Sequence, residues 1–140
     1  MGAARWEHFE HGADIGVRGY GASPAEAFEQ AALALTAVVA DPAAVPQRRR
    51  IALHCEAPED DLLLVDWLNA LVYRMDADKL LFGRFRVRLA PGRLDGEAWG
   101  GPVTALAGGG TVEVKGATYT ALRLAREPDG LWVAQCVVDV

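Results

Sequence analysis

The sequence predicts an α+β domain in which two helices pack on one face of a mostly antiparallel sheet. Three observations lead there. Apolar residues recur at helical spacing in two segments, one following Ser23 and one following Pro58. Most of the remaining chain alternates apolar and polar residues, and Pro, Gly and Asp clusters punctuate its second half at short intervals. Two helices are too few to cover both faces of a sheet, so they are expected on one. The 140 residues form one domain over 1–140, long enough to bury a sizeable core.

Trp6–Glu10 is a short mixed stretch that can pair as a strand, and Asp14–Tyr20 alternates, with Ile15 and Val17 on one face and Arg18 and Tyr20 on the other. Gly21-Ala22 turns the chain into Ser23-Pro24-Ala25-Glu26, which carries the helix-opening signals of a Ser cap, Pro at the first helical position and Glu at the third. That helix runs to about Ala40, burying Phe28, Ala31, Ala32, Leu35, Val38 and Val39, and Asp41-Pro42 ends it. Arg48, Arg49 and Arg50 lead into a strand with Ile51, Leu53 and Cys55 on one face. They read as a solvated strand edge, or alternatively as a docking patch. Pro58-Glu59-Asp60-Asp61 opens the second helix with acidic residues at its positive end; Leu64, Val65, Leu68, Leu71, Val72 and Met75 form its buried stripe. Strands are expected at Leu80–Leu89, Arg93–Trp99, Thr111–Val114, Tyr119–Arg126 and Leu131–Val138, with Pro128-Asp129-Gly130 a hairpin turn.

Composition narrows the function. Apolar residues make up 51% of the chain and charged residues 24%, which is globular rather than disordered. The formal net charge of -5 argues against gripping nucleic acid by bulk electrostatics, but leaves room for a partner that handles RNA. Cys55 and Cys136 lie in separate alternating stretches with neither a pairing framework nor metal-type spacing, so both read as small buried thiols in a reducing compartment. No apolar signal core opens the sequence and no apolar run reaches membrane-spanning length, so a cytoplasmic location is expected.

Few residues invite chemistry. Asp14 stands where a strand begins, among Gly12, Ala13 and Gly16; on its own it reads as an Asx-type turn. Asp139 closes the apolar Val137-Val138 run one residue before the end, and that apolar run ties the terminus into the sheet. Should the fold join the two segments, Asp14, Asp139 and the α-carboxylate on Val140 would converge as a hard-cation or acid–base site. Lys115, breaking out of the Val112-Glu113-Val114 alternation, is a solvated edge residue or a cation that neutralises a carboxylate or phosphate cluster. Asp66, Asn69 and Tyr73 share a helix face that is solvated or borders a site. His8, His11 and His54 lack zinc spacing, although His11 is near Asp14. Gly108-Gly109-Gly110 has no helix-opening or Lys-Ser/Thr context and reads as a flexible loop rather than a phosphate cradle.

Taken in order, five motifs resemble the archease family. They are Glu10-His11-Gly12-Ala13-Asp14-Ile15-Gly16; Ser23-Pro24-Ala25-Glu26-Ala27-Phe28 with Ala31–Leu35; Leu64-Val65-Asp66-Trp67-Leu68-Asn69-Ala70-Leu71-Val72-Tyr73; Glu113–Tyr119; and the terminal Val137-Val138-Asp139-Val140. The resemblance implies an archease-like fold and a small protein cofactor, not a stand-alone enzyme. Such a cofactor accompanies an RtcB-type RNA ligase and promotes GTP-dependent guanylylation of its active-site histidine, and hence multiple turnover in tRNA splicing and RNA repair. RNA would be met only through the ligase, and GTP is the ligase's nucleotide. By position, the resemblance assigns Asp14, Lys115 and Asp139 as the functional set, and Asp14, Asp139 and the Val140 carboxylate as ligands of a divalent metal ion, calcium or magnesium. The chain departs from the family pattern at Gly12, where threonine is usual, at Gly101-Pro102, where an acidic residue often follows a glycine, and at Ala105-Leu106-Ala107, where a histidine is common.

Two other classes compete. A chaperone-like module that alters the solubility or oligomeric state of a nucleic-acid-processing partner suits the apolar content. An independent metal-dependent hydrolase or transferase suits three carboxylates with a lysine, but the sequence shows no nucleophile–base pair and no nucleotide loop.

Overall fold

The computed structural model describes residues 3–102 and 112–140, and there the two expected helices form where their capping and apolar spacing put them. Helix α1 spans Pro24–Val39. The Ser23 hydroxyl accepts the Glu26 N–H at 3.1 Å, and the Glu26 carboxylate reaches back to accept the Ala22 N–H at 2.8 Å, so two amides that the helix leaves without partners are satisfied. Beyond α1, Asp41 accepts the Ala43 N–H at 3.0 Å and caps a 3₁₀ turn at Pro42–Ala44. Helix α2 spans Asp60–Asp78 and stops at Lys79, which takes the left-handed conformation at φ 55°. The buried stripe of α2 is wider than its apolar spacing predicts: Leu63 and Trp67 are also fully buried, whereas Met75 is only partly so.

The strands are β1 (Arg5–His11), β2 (Asp14–Gly21), β3 (Arg49–Glu56), β4 (Leu80–Ala90), β5 (Arg93–Pro102), β6 (Gly116–Ala117), β7 (Arg123–Arg126) and β8 (Trp132–Asp139). All their pairings are antiparallel, and they divide into two sheets. The larger runs β1-β2-β8-β6 with β7 also on β8; the smaller runs β3-β5-β4.

Two expected strands differ. Thr111 lies outside the described residues, as do Ala105-Leu106-Ala107 and Gly108-Gly109-Gly110, and Val112–Val114 forms no strand. Pairing with β8 starts instead at Gly116-Ala117. The Tyr119–Arg126 segment is extended only from Arg123, because the Leu122 N–H bonds back to the Tyr119 carbonyl at 3.2 Å in a turn that sets Ala121 at φ 53°. Strands β6 and β7 therefore occupy successive stretches of the same β8 edge. The Pro128-Asp129-Gly130 turn is present, closed by Gly130 N–H to Glu127 O at 2.9 Å with Gly130 at φ 91°.

Each helix packs on sheet and also serves the edge of a strand. Gly19 lets α1 press on the larger sheet: a Cβ there would lie 2.3 Å from Ala27 O and Ala31 N. Glu29 of the same helix accepts the Val87 N–H of β4 at 2.8 Å, and Thr36 donates to the Phe82 carbonyl at 2.7 Å. Helix α2 fits Trp67 against Gly96 of β5 and edge-on to Phe85, with ring centroids 6.0 Å apart, while Asn69 reaches the edge of β6. These side chains satisfy strand-edge groups that would otherwise be open to water or to another chain. The core between the sheets is continuous, built on Trp67, Phe28, Phe82, Leu35, Leu64 and Leu68, each worth about 1.5–3 kcal/mol by burial alone.

Candidate functional site

Strand pairing joins the start of the chain to its end. Gly12 and Ala13 form a two-residue loop between β1 and β2, with Gly12 at φ 61° and His11 paired with Asp14. Glycine at the first position of such a loop suits the positive φ there, which is what Gly12 provides in place of the threonine usual in the motif. Strand β2 then pairs with β8 as far as Ile15 opposite Val138, and β6 pairs Gly116 with Asp139. Continuing the β2–β8 register by one residue sets Asp14 opposite Asp139. Residues directly opposite share a face, so His11, Asp14, Asp139 and Gly116 form one row across four strands, on the face turned away from α1.

The contacts along this row are specific. The Val140 N–H points to Asp14 Oδ1 at 3.4 Å, and the Lys115 N–H donates to the Asp139 carbonyl at 2.8 Å. Asp14 and Val140 are half-buried, and Asp139 is exposed. Among the described residues neither aspartate has an ion-pair partner. Lys115 joins the cluster through its backbone only. Lys115 also lines a groove of about 350 Å³ with Asn69, Tyr73, Asp76 and Glu113. Its ammonium makes no ion pair among the described residues.

The segment holding Lys115 is clamped from α2. Asn69 Oδ1 accepts the Ala117 N–H at 2.8 Å while its amide nitrogen donates to the Ala117 carbonyl at 3.1 Å. This is a two-bond mimic of strand pairing, and it gives the Asp66-Asn69-Tyr73 face a definite role at Asn69. A Cβ on Gly116 would sit 3.2 Å from Asn69 Oδ1, so glycine beside the lysine lets the clamp close. Thr118 adds a hydroxyl bond to Val137 O at 2.8 Å. The sequence shows an Asn on a polar helix face; it does not show which backbone that Asn meets.

The donors available at the strand ends are carboxylate oxygens, hard ligands that suit calcium or magnesium better than zinc. Among the described residues no three His, Cys, Asp or Glu side chains are grouped to hold a metal ion, so a cation bound here would draw on Asp14, Asp139 and main-chain or terminal oxygen. The thiols offer no alternative chemistry. Burial pushes Cys55 up to about 11 and Cys136 up to about 12, which keeps both protonated and poorly nucleophilic. No helix among the described residues is long and apolar enough to cross a membrane.

Against known proteins, residues 6–140 match the model of the Archease protein family (MTH1598/TM1083). The chain is 39% identical to the protein archease of Pyrococcus furiosus over 97% of its length and 99% of the relative's. It is 40% identical to that of Thermococcus gammatolerans with the same coverage. Among solved structures it resembles Methanobacterium thermoautotrophicum protein 1598, with a TM-score of 0.78 and 32% identity over 96% of this chain and 98% of the other. An archease from Thermotoga maritima described as a "possible chaperone" shares the fold, with a TM-score of 0.59 and 17% identity over 94% of each chain.

Proposed function

The chain belongs to the archease family, and on that premise we propose that it activates an RtcB-type RNA ligase, promoting guanylylation of the ligase's active-site histidine by GTP in tRNA splicing or RNA repair. One observation carries this reading: the motif aspartate near the start and the motif Asp-Val at the end are joined, with the Val140 N–H directed at Asp14 and the Lys115 backbone bonded to Asp139. Three of the five family motifs thus meet at one end of one sheet, with Asp139 open to a partner.

Asp14, Asp139 and the Val140 carboxylate are the groups that would hold a divalent cation, and two aspartates without ion-pair partners fit that role among the described residues. The cation would supply positive charge for phosphate oxygens at the junction with the ligase. The protein's own residues set the geometry. The β2–β8 pairing holds Asp14 beside the chain end, and Asn69 fixes the segment that carries Lys115 at the edge of its groove. The protein works as a cofactor of the ligase rather than as an enzyme alone, in a cytoplasmic setting.

The test is catalytic. The ligase–nucleotide adduct is followed with GTP, a divalent ion and substoichiometric amounts of this protein. Stimulation over several turnovers is expected, and Asp14→Asn, Lys115→Ala and Asp139→Asn should each abolish it. Extension beyond Val140 should weaken metal binding, whereas an N-terminal extension should not. Intact guanylylation in all three variants would overturn the reading. A second reading, chaperone-like modulation of a partner, is favoured by Tyr73 and Tyr119, which are 69% and 65% exposed. It predicts an effect only at stoichiometric amounts that survives Asp14→Asn.

A further inference from the structure

The outer face of the smaller sheet carries a second, oppositely charged surface. Strand β4 places Phe85 and Val87 in the core and turns Arg84, Arg86 and Arg88 outward. Register sets these three opposite Trp99, Glu97 and Asp95 of β5, which in turn lie opposite Arg50, Ala52 and His54 of β3. Arg93 and Glu56 complete the face. Five arginines and one histidine therefore meet three carboxylates, on a chain whose formal net charge is -5.

Those carboxylates are already engaged. Glu97 is taken by Arg50, and Asp95 by His54 Nδ1 at 2.8 Å with Arg93 at 3.7 Å. Glu56 meets His54 Nε2 at 2.8 Å. Both carboxylates favour the charged imidazole. Arg84 lies over the Trp99 ring at 4.4 Å. Among the described residues Arg86 and Arg88 make no ion pair, and both side chains are exposed.

We propose that this arginine face binds the phosphodiester backbone of single-stranded RNA. Alternate residues of a strand are about 6.6 Å apart, so Arg84, Arg86 and Arg88 form a line of guanidiniums at a regular interval comparable to the spacing of phosphates along an extended strand. Guanidinium forks match phosphate oxygens bidentately, and the Arg84–Trp99 stack offers a platform for a base. The Arg84–Trp99 stack favours nucleic acid over an acidic protein, because a base has a flat face to lay on it and a carboxylate does not. The face lies on a different sheet from Asp14 and Asp139, so it supplies a contact with RNA that the ligase reading does not require. Only the choice of RNA over DNA rests on that reading.

Fluorescence anisotropy with the protein alone and a labelled oligouridylate of about 12 nucleotides tests this. Three neutralised phosphates predict a slope of log affinity against log salt of about -2, or a loss of about 16-fold between 50 and 200 mM salt. In Arg86→Gln/Arg88→Gln the slope should fall to about -0.7 and the loss to about threefold. Arg123→Gln/Arg126→Gln, which removes the same charge from the larger sheet, should leave the slope unchanged. Absence of RNA binding, an unchanged slope in the β4 variant, or an equal loss in both variants would overturn the proposal. Preference for polyglutamate would overturn it in favour of an acidic protein, and equal binding of oligothymidylate would overturn the choice of RNA. Ligase guanylylation should be intact in Arg86→Gln/Arg88→Gln, so failure here is separable from failure of the ligase reading.

Discussion

Removing the Asn69 clamp is expected to loosen the candidate site without deleting any charged or catalytic group. Asn69→Ala takes away both hydrogen bonds to Ala117, at 2.8 and 3.1 Å. A neutral hydrogen bond contributes about 0.5–1.5 kcal/mol net. Because Asn69 is exposed, water replaces part of the loss, and about 1–2 kcal/mol for the pair is reasonable. At roughly 2.1 cal/mol/K per residue, unfolding entropy for a chain of this length makes that a drop of about 3–7 °C in melting temperature. The effect should be local. Hydrogen exchange at the Ala117 amide should quicken roughly 5- to 30-fold, and the Lys115 amide, bonded to Asp139 O, should also quicken, while β3–β5 amides that exchange by local opening keep their rates. Asn69→Asp retains an acceptor for the Ala117 N–H but loses the donor, so it should recover about half. Ligase stimulation should fall in proportion to the exchange rates. Unchanged Ala117 exchange in Asn69→Ala would refute the clamp, and a uniform rise across the molecule would show that Asn69 acts through global stability alone.

Three further outcomes are expected. Gly19→Ala drives a Cβ to 2.3 Å from the backbone of α1 and should cost about 3 kcal/mol or more, whereas Gly12→Ala, with open space around it but φ 61°, should cost only about 1 kcal/mol; denaturant titration of the pair checks both, and equal losses would contradict the packing argument. His54 is held above its ordinary 6.5 by the hydrogen bonds it donates to Asp95 and then Glu56, so its contribution to stability is complete below 6.5 and is lost as pH rises through the higher folded value; Asp95→Asn should bring the imidazole titration seen by NMR back down, and an unmoved titration would count against the pairing. Glu29 is raised above 4.5 chiefly by burial, against the pull of the Val87 N–H, so its ionised form opposes folding and its effect is relieved as pH falls through the folded value. Glu29→Gln, which keeps an acceptor for Val87, should raise the melting temperature at pH 7 and flatten its change toward pH 5; a less stable variant at pH 7 would mean that the ionised hydrogen bond outweighs desolvation.

Local chemistry determined the elements. Ser23-Pro24-Ala25-Glu26 opens α1 because a hydroxyl, an imino acid and a carboxylate satisfy a helix start regardless of what surrounds it. Pro128-Asp129-Gly130 turns the chain because Gly130 can take φ 91°. The Lys115–Leu122 region was legible only in part. Alternation in Val112-Glu113-Val114 suggests a strand, but β8 offers its edge to Gly116-Ala117, and the Tyr119–Leu122 turn separates that short strand from β7. Alternation reports which residues can pair, not which partner has an edge free.

The sequence by itself determined the family, through five ordered motifs, and the resemblance supplied Asp14, Lys115 and Asp139 as the set proposed for function. It also determined both helices, the α+β class and the burial of both cysteines. Only the tertiary structure decided that the strands divide into two sheets, that Asn69 holds Ala117, that Lys115 meets Asp139 through its backbone beside a separate groove, and that Arg84, Arg86 and Arg88 form a charged line away from Asp14 and Asp139. The division has a physical cause. Caps, turns and periodicity act within a few residues, so they are written in local sequence. Sheet partition, edge protection and the face from which a side chain leaves depend on contacts between segments as much as 126 residues apart, as between Asp14 and Val140, and those are settled only when the core closes.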